Sequence, residues 1–165
     1  MGVVGAGKTT VGSLLAQKLG WQFADADDFH PASNVEKIKR GIPLNDSDRA
    51  PWLAALRNAI RRWNAEGQNA VLACSALKRK YRDELRADGV LFVYLKGDYE
   101  LIEQRLRTRR GHFASDSILK SQFADLEKPD DAITVEIDKT PDAIVSEIIG
   151  KLKLSPVAYS DPAQK

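Results

Sequence analysis

Two glycines, Gly2 and Gly7, bracket four residues, and the second is followed directly by Lys8 and Thr9. The stretch satisfies G-x-x-x-x-G-K-[ST], and a helical pattern begins at once behind it. In such a loop the backbone N–H groups and the helix N-terminus surround phosphate oxygens, and the helix dipole adds partial positive charge. This assigns Gly2, Val3, Val4, Gly5, Ala6, Gly7, Lys8, Thr9 and Thr10 to the phosphates of a nucleoside triphosphate. Lys8 reaches the β- and γ-phosphates, and the Thr9 hydroxyl is a Mg²⁺ ligand.

A second cluster, Asp25-Ala-Asp27-Asp28, follows an apolar strand-like segment. It therefore falls where open α/β sheets bind ligands, at a strand's C-terminal end. Strand alternation sends Asp25 and Asp27 to one side and Asp28 to the other. The cluster reads either as a solvated acidic turn or as a functional pair. In the second case one carboxylate holds Mg²⁺ and another accepts the proton of an acceptor hydroxyl. Arg105, Arg107, Arg109 and Arg110 run into Gly111-His112-Phe113. They read as a charged helix end or as a lid that closes guanidinium groups over a transferring phosphoryl. Lys78, Arg79, Lys80 and Arg82 are a surface face or anion-binding groups. His30 and His112 are too far apart in sequence to suggest a shared metal site, and each alone reads as a structural histidine. Trp52 and Trp63 read as packing residues.

These groups need a scaffold. Apolar runs at Val71–Cys74 and Leu91–Leu95 alternate with helix-period segments, the pattern of βαβ units around a buried parallel sheet. Trp21–Ala26 is a further strand, and Ile133–Asp138, alternating apolar and polar, is an edge strand. Helices are predicted at Lys8–Leu19, Pro51–Ala65 and Tyr99–Arg110, around Leu119, Phe123 and Leu126, and from Pro141 onward. Shorter ones are predicted at Asn34–Arg40 and Lys78–Ala87. Only Met1 precedes Gly2, so the strand expected before the glycine loop is largely missing from the sequence.

With 165 residues, 43% hydrophobic, the chain fits one α/β domain over residues 1–154, followed by a polar tail at 155–165. Formal charge is +2, which gives no global case for nucleic acid or a membrane surface as partner. No run approaches the roughly 20 apolar residues of a membrane span. A single cysteine, Cys74, points to a reducing, cytoplasmic setting.

Further stretches carry a family resemblance: Asp25-Ala-Asp-Asp-Phe-His-Pro31, Gly41-Ile-Pro-Leu-Asn-Asp-Ser-Asp-Arg-Ala-Pro-Trp-Leu53, Cys74-Ser-Ala-Leu-Lys-Arg-Lys-Tyr-Arg-Asp83, Gly111-His-Phe113 and Leu119-Lys-Ser-Gln-Phe-Ala-Asp-Leu-Glu127. With the glycine loop, they make the sequence resemble the small gluconate kinases, within the P-loop group that includes shikimate and nucleoside monophosphate kinases. The resemblance implies a three-layer α/β sandwich with a five-stranded parallel sheet, order 2-3-1-4-5. It also implies a substrate-binding insertion at about 30–65 and a lid at about 105–116. The implied reaction is transfer from ATP, with Mg²⁺, to the 6-hydroxyl of D-gluconate, in a homodimer. By the same resemblance Lys8, Asp27, Arg105 and Arg109 are catalytic, and Thr9 and Asp25 hold the metal. Asp27, His30, Arg49, Lys78, Arg82 and His112 meet the substrate. The sequence departs from the family at Ala114-Ser115, where Met-Pro is usual, and in a shortened acidic loop after Pro129.

Overall fold

The computed structural model describes residues 1–108 and 115–156. The first helix, α1 (Lys8–Leu19), starts on Gly7 and stops at Gly20, both in the left-handed region that an L side chain avoids. β1 (Gln22–Asp25) follows and turns into a 3₁₀ segment, Ala26–Phe29. β1 is shorter than the predicted Trp21–Ala26 because Asp25 caps that turn, its carboxylate accepting from the Asp27 N–H at 3.1 Å. α2 (Ala32–Lys39) and α3 (Asp46–Ala65) come next.

α3 begins five residues before the predicted Pro51, counting from Asp46. The cause is a reciprocal cap. Asn45 Oδ1 accepts from the Asp48 N–H at 2.9 Å, and Asp48 Oδ2 accepts from the Asn45 N–H at 3.0 Å. Two otherwise unsatisfied donors are thereby paired, which starts the helix ahead of the proline. One consequence is that Arg49 stands in the first turn of α3 rather than in a preceding loop.

The remaining elements are β2 (Ala70–Ala73), α4 (Arg79–Leu85), β3 (Val93–Lys96), α5 (Tyr99–Thr108), α6 (Ser115–Asp125), β4 (Ile133–Glu136) and α7 (Pro141–Leu152). α7 starts as the sequence suggests, with Pro141 in the first turn and Thr140 capping the Ala143 N–H at 3.3 Å.

Both strand pairings are parallel. β1 lies on β2 with Asp25 opposite Ala73, and β3 lies on β4 with Val93 opposite Ile133. The described residues thus form two parallel pairs rather than one continuous five-stranded sheet. Met1 and Gly2 run between them. The Leu95 N–H donates to the Met1 carbonyl at 2.9 Å, and the Gly2 N–H donates to the Ser75 carbonyl at 3.2 Å. A largely apolar cavity of about 260 Å³ borders the same gap, with Val71, Leu72, Val93 and Leu95 among its walls.

Apolar side chains cover both faces of the β1–β2 pair. Val71 packs into one cluster with Leu15, Leu19, Ile144 and Ile148 of α1 and α7. Its neighbours Ala70 and Leu72 pack into the other, with Leu56, Ile60 and Trp63 of α3. This alternation along β2 is what a strand buried on both sides requires. Gly12 allows α1 to approach, since a Cβ there would sit 3.0 Å from the Phe23 ring.

Tyr99, at the start of α5, stacks obliquely on Phe123 of α6, with 5.3 Å between ring centres. Its hydroxyl is buried without a hydrogen-bond partner among the described residues. A buried unpaired hydroxyl costs about 1–3 kcal/mol. Tyr99→Phe is therefore expected to leave stability unchanged or raise it by about 1 kcal/mol in urea melts. A loss of that size would show that the hydroxyl is satisfied after all.

Candidate functional site

The loop between Met1 and α1 is held by its glycines. Gly5 has φ 80°, and a Cβ on it would meet Ile102 of α5 at 2.9 Å, so the backbone there approaches a helix too closely for any side chain. Gly7, with φ 89°, turns the chain so that α1 begins at Lys8. The result is a helix N-terminus behind a tight loop, a geometry that collects N–H groups around an anion. Lys8 is half-buried and donates from Nζ to the Val3 carbonyl at 3.0 Å, folding its ammonium back over the loop. Burial pulls its pKa below the ordinary value, opposed chiefly by the negative charge of Asp27 and also by that of Asp25.

Thr9 and Asp25 meet. The Thr9 hydroxyl donates to Asp25 Oδ2 at 2.9 Å, while Asp25 Oδ1 accepts from the Asp27 N–H. One carboxylate therefore joins the first turn of α1 to the end of β1 and also shapes the turn that presents Asp27. Asp27 is exposed, and its charge reaches both Lys8 and His30. The 3₁₀ turn replaces the strand alternation expected to separate Asp27 from Asp28, so their orientations are set by the turn. The Thr9–Asp25 pair is an oxygen-only donor set, and no three His, Cys, Asp or Glu side chains converge among the described residues. That suits Mg²⁺, which takes one or two protein oxygens and completes its shell with phosphate and water.

His30 stacks flat on Trp52, with ring centres 4.8 Å apart and planes 13° from parallel. Trp52 donates from its indole N–H to the Ala26 carbonyl at 2.7 Å. It is thus more than packing, because it ties the acidic turn to α3. Burial lowers the His30 pKa from 6.5, against the pull of Asp27 and with the help of Arg49. Arg49 lies over the Tyr81 ring at 5.6 Å and donates to the Tyr81 hydroxyl at 3.3 Å. Tyr81 in turn donates to Asp46 at 2.6 Å.

The other predicted cations are placed differently from one another. Arg82 is only 2% exposed and donates to the Ala76 and Leu77 carbonyls at 3.2 and 3.0 Å. Ala76 itself is held at φ 43°, so this guanidinium props a strained turn from beneath. Lys78 pairs with Asp125 of α6 at 3.2 Å. Arg105 donates to the Ile137 carbonyl, linking α5 to the end of β4. Arg107 pairs with Glu103 on an exposed face of its own helix. Arg109, Arg110 and His112 lie outside the described residues. Cys74 is buried, with its thiol pushed up to about 11 chiefly by desolvation, so it is no nucleophile.

Three contacting residues escaped the sequence reading. Gln122 of α6 accepts from the Val4 N–H at 2.6 Å, so a helix far along the chain holds the glycine loop. Glu127 accepts from the Arg79 N–H at the start of α4. Asn34, 2% exposed, sits between His30 and Asp48. Gln122 and Glu127, within the quoted Leu119–Glu127 stretch, act through single hydrogen bonds across long sequence separations, and Asn34 through two, to His30 four residues away and to the Asp48 carbonyl, so residue type alone does not reveal these roles.

A glycine loop with its lysine, a hydroxyl–carboxylate pair and a second carboxylate at a strand end define an α/β kinase of the P-loop class. A family model described as shikimate kinase matches residues 4–153. A probable gluconokinase of Xenopus tropicalis is 47% identical, over 92% of this chain and 90% of its own length. The gluconokinase of Gluconobacter oxydans is also 47% identical, covering 90% of this chain and 86% of its own. Among solved structures, a gluconokinase from Sinorhizobium meliloti superposes with a TM-score of 0.83 at 40% identity, covering 93% of this chain and 89% of that one. The chain belongs to the gluconokinase family, within the shikimate kinase group.

The Asp46 cluster makes a pH prediction. Hydrogen bonds from Lys80 first and Tyr81 second lower its pKa from 3.8 to about 2. Between those values the unfolded chain binds more protons, so the contribution is complete above about pH 4 and is lost as pH falls toward 2. Asp46→Asn should lower the melting temperature at pH 7 and match the parent near pH 2. An equal deficit at both pH values would contradict the assignment.

Proposed function

We propose that the chain transfers the γ-phosphoryl group of ATP to the 6-hydroxyl of D-gluconate, giving 6-phospho-D-gluconate and ADP. The Thr9–Asp25–Asp27 chain of hydrogen bonds beside Lys8 carries the phosphotransfer part of this reading. The gluconokinase names of its relatives carry the substrate. Residues Gly2 to Thr10 cradle the triphosphate, with Lys8 on its outer phosphates. Thr9 and Asp25 would hold Mg²⁺, which neutralises phosphate charge when bound.

The hydroxyl of gluconate attacks the γ-phosphorus in line, the bond to the β,γ-bridging oxygen breaks, and ADP leaves. An alcohol is too weak an acid to ionise in advance at neutral pH. Asp27 therefore positions the oxygen and takes its proton late.

Among the substrate-side cations Arg49, Lys78 and Arg82, Arg49 fits the gluconate carboxylate best. Arg82 is engaged with backbone beneath the 76–77 turn and Lys78 with Asp125. These two act by holding the loop that faces the substrate. The lid role of Arg105 and Arg109, the substrate contact of His112, the five-strand order 2-3-1-4-5 and assembly as a homodimer rest on resemblance. No helix among the described residues is long and apolar enough to cross a membrane. A cytoplasmic site of action is proposed from the ATP requirement and the single reduced cysteine.

A coupled ADP-release assay across gluconate, shikimate and nucleoside monophosphates tests the assignment. Turnover with gluconate alone is expected, and preference for either other acceptor would refute it. Asp27→Asn keeps the shape but not the base. It should cut kcat on the order of 10² while leaving the KM for ATP nearly unchanged. Arg49→Ala should raise the KM for gluconate by about 10-fold or more, the size of a lost charge-assisted hydrogen bond. An unchanged gluconate KM would remove Arg49 from the site.

A further inference from the structure

Asn34 is one of two polar or charged side chains buried among the described residues, the other being Arg82. Its Nδ2 lies 2.7 Å from the Asp48 carbonyl and 3.3 Å from Nδ1 of His30. The carbonyl can only accept, so the amide must present its NH₂ end there. That nitrogen has two hydrogens and no acceptor capacity. The second hydrogen therefore points at His30, whose Nδ1 must be the unprotonated nitrogen.

A neutral ring accepting at Nδ1 carries its proton on Nε2. The ring plane is fixed independently by Trp52, stacked at 4.8 Å and anchored to the Ala26 carbonyl. His30 is thus held in position by the indole and in proton placement by the amide. The charges that act on the ring are Asp27, from the 3₁₀ turn, and Arg49, from α3.

We propose that Asn34 is a positioning residue that locks His30 in its Nε2–H tautomer, so that the ring offers a hydrogen-bond donor to a substrate hydroxyl within electrostatic reach of Asp27. The lock stands on the geometry of the free protein, and its use on gluconate rests on the function proposed above. A polyol hydroxyl both donates and accepts. Asp27 as a carboxylate supplies only acceptors, and a donor nearby supplies the missing half of the clamp. Protonated at Nδ1 instead, the ring would offer a lone pair at Nε2 and would compete with Asp27 for the same proton.

The chain has two histidines, so a His30→Gln variant assigns the imidazole signals in long-range ¹⁵N–¹H spectra of the free protein at neutral pH. Protonated Nε2 and bare Nδ1 are expected for His30. Asn34→Leu should turn this into a mixture of tautomers and raise the KM for gluconate by about 10-fold, with the KM for ATP unchanged. Asn34→Asp, nearly isosteric, should draw the proton to Nδ1. A proton on Nδ1 of the parent protein overturns the proposal without recourse to any variant. So does an Asn34→Leu protein that keeps both tautomer and gluconate KM. A chain with the expected tautomer but no gluconate turnover would instead overturn the substrate assignment and leave the lock standing.

Discussion

The hydrogen bond from Thr9 to Asp25 is the join on which the site depends. It links the first turn of α1, and with it the glycine loop, to the last residue of β1. Asp25 has two oxygens and uses both, one toward Thr9 and one to cap the turn that carries Asp27. A single carboxylate thereby sets the distance between the glycine loop and Asp27. Because β1 and β2 run parallel with Asp25 opposite Ala73, the ends of both strands come out on the same side. The turn after β2, propped by Arg82, stands there too.

Around that join, the other elements act as braces. Trp52 and His30 tie the acidic turn to α3, and the Asn45–Asp48 cap fixes where α3 begins and hence where Arg49 stands. α6 braces from the other side. Gln122 holds the Val4 N–H and Asp125 pairs with Lys78, while Glu127, just past the helix, caps Arg79. One helix following the predicted lid therefore contacts both the glycine loop and the loop after β2. Any shift of α6 would have to remake its contacts to both loops.

Much of this was legible in the chain itself, for stated physical reasons. The glycine loop and α1 follow from a pattern whose residue types have few other uses. The stripe of Leu53, Leu56, Ile60 and Trp63 is buried as its spacing requires. What could not be read depends on contacts distant in sequence or on local competition. The start of α3 was hidden because a proline normally marks a helix's first turn, and the Asn45–Asp48 cap overrides that signal. Strand alternation was carried past Ala26 to Asp27 and Asp28, where the Asp25 carboxylate instead caps a 3₁₀ turn that sets their directions. Arg82 carried the signature of a solvated or anion-binding cation, yet its partners are the carbonyls of a turn with a positive φ at Ala76.

The central claim is a division of labour between two carboxylates two residues apart, Asp25 on the metal side and Asp27 on the acceptor side. The dependence of kcat on Mg²⁺ concentration, measured at saturating ATP and gluconate for Asp25→Asn and Asp27→Asn, tests it directly. The account predicts that Asp25→Asn needs several-fold more Mg²⁺ to reach its plateau, while Asp27→Asn has a lowered plateau at the parent's Mg²⁺ requirement. The reverse pattern, or the same shift in both variants, would contradict it.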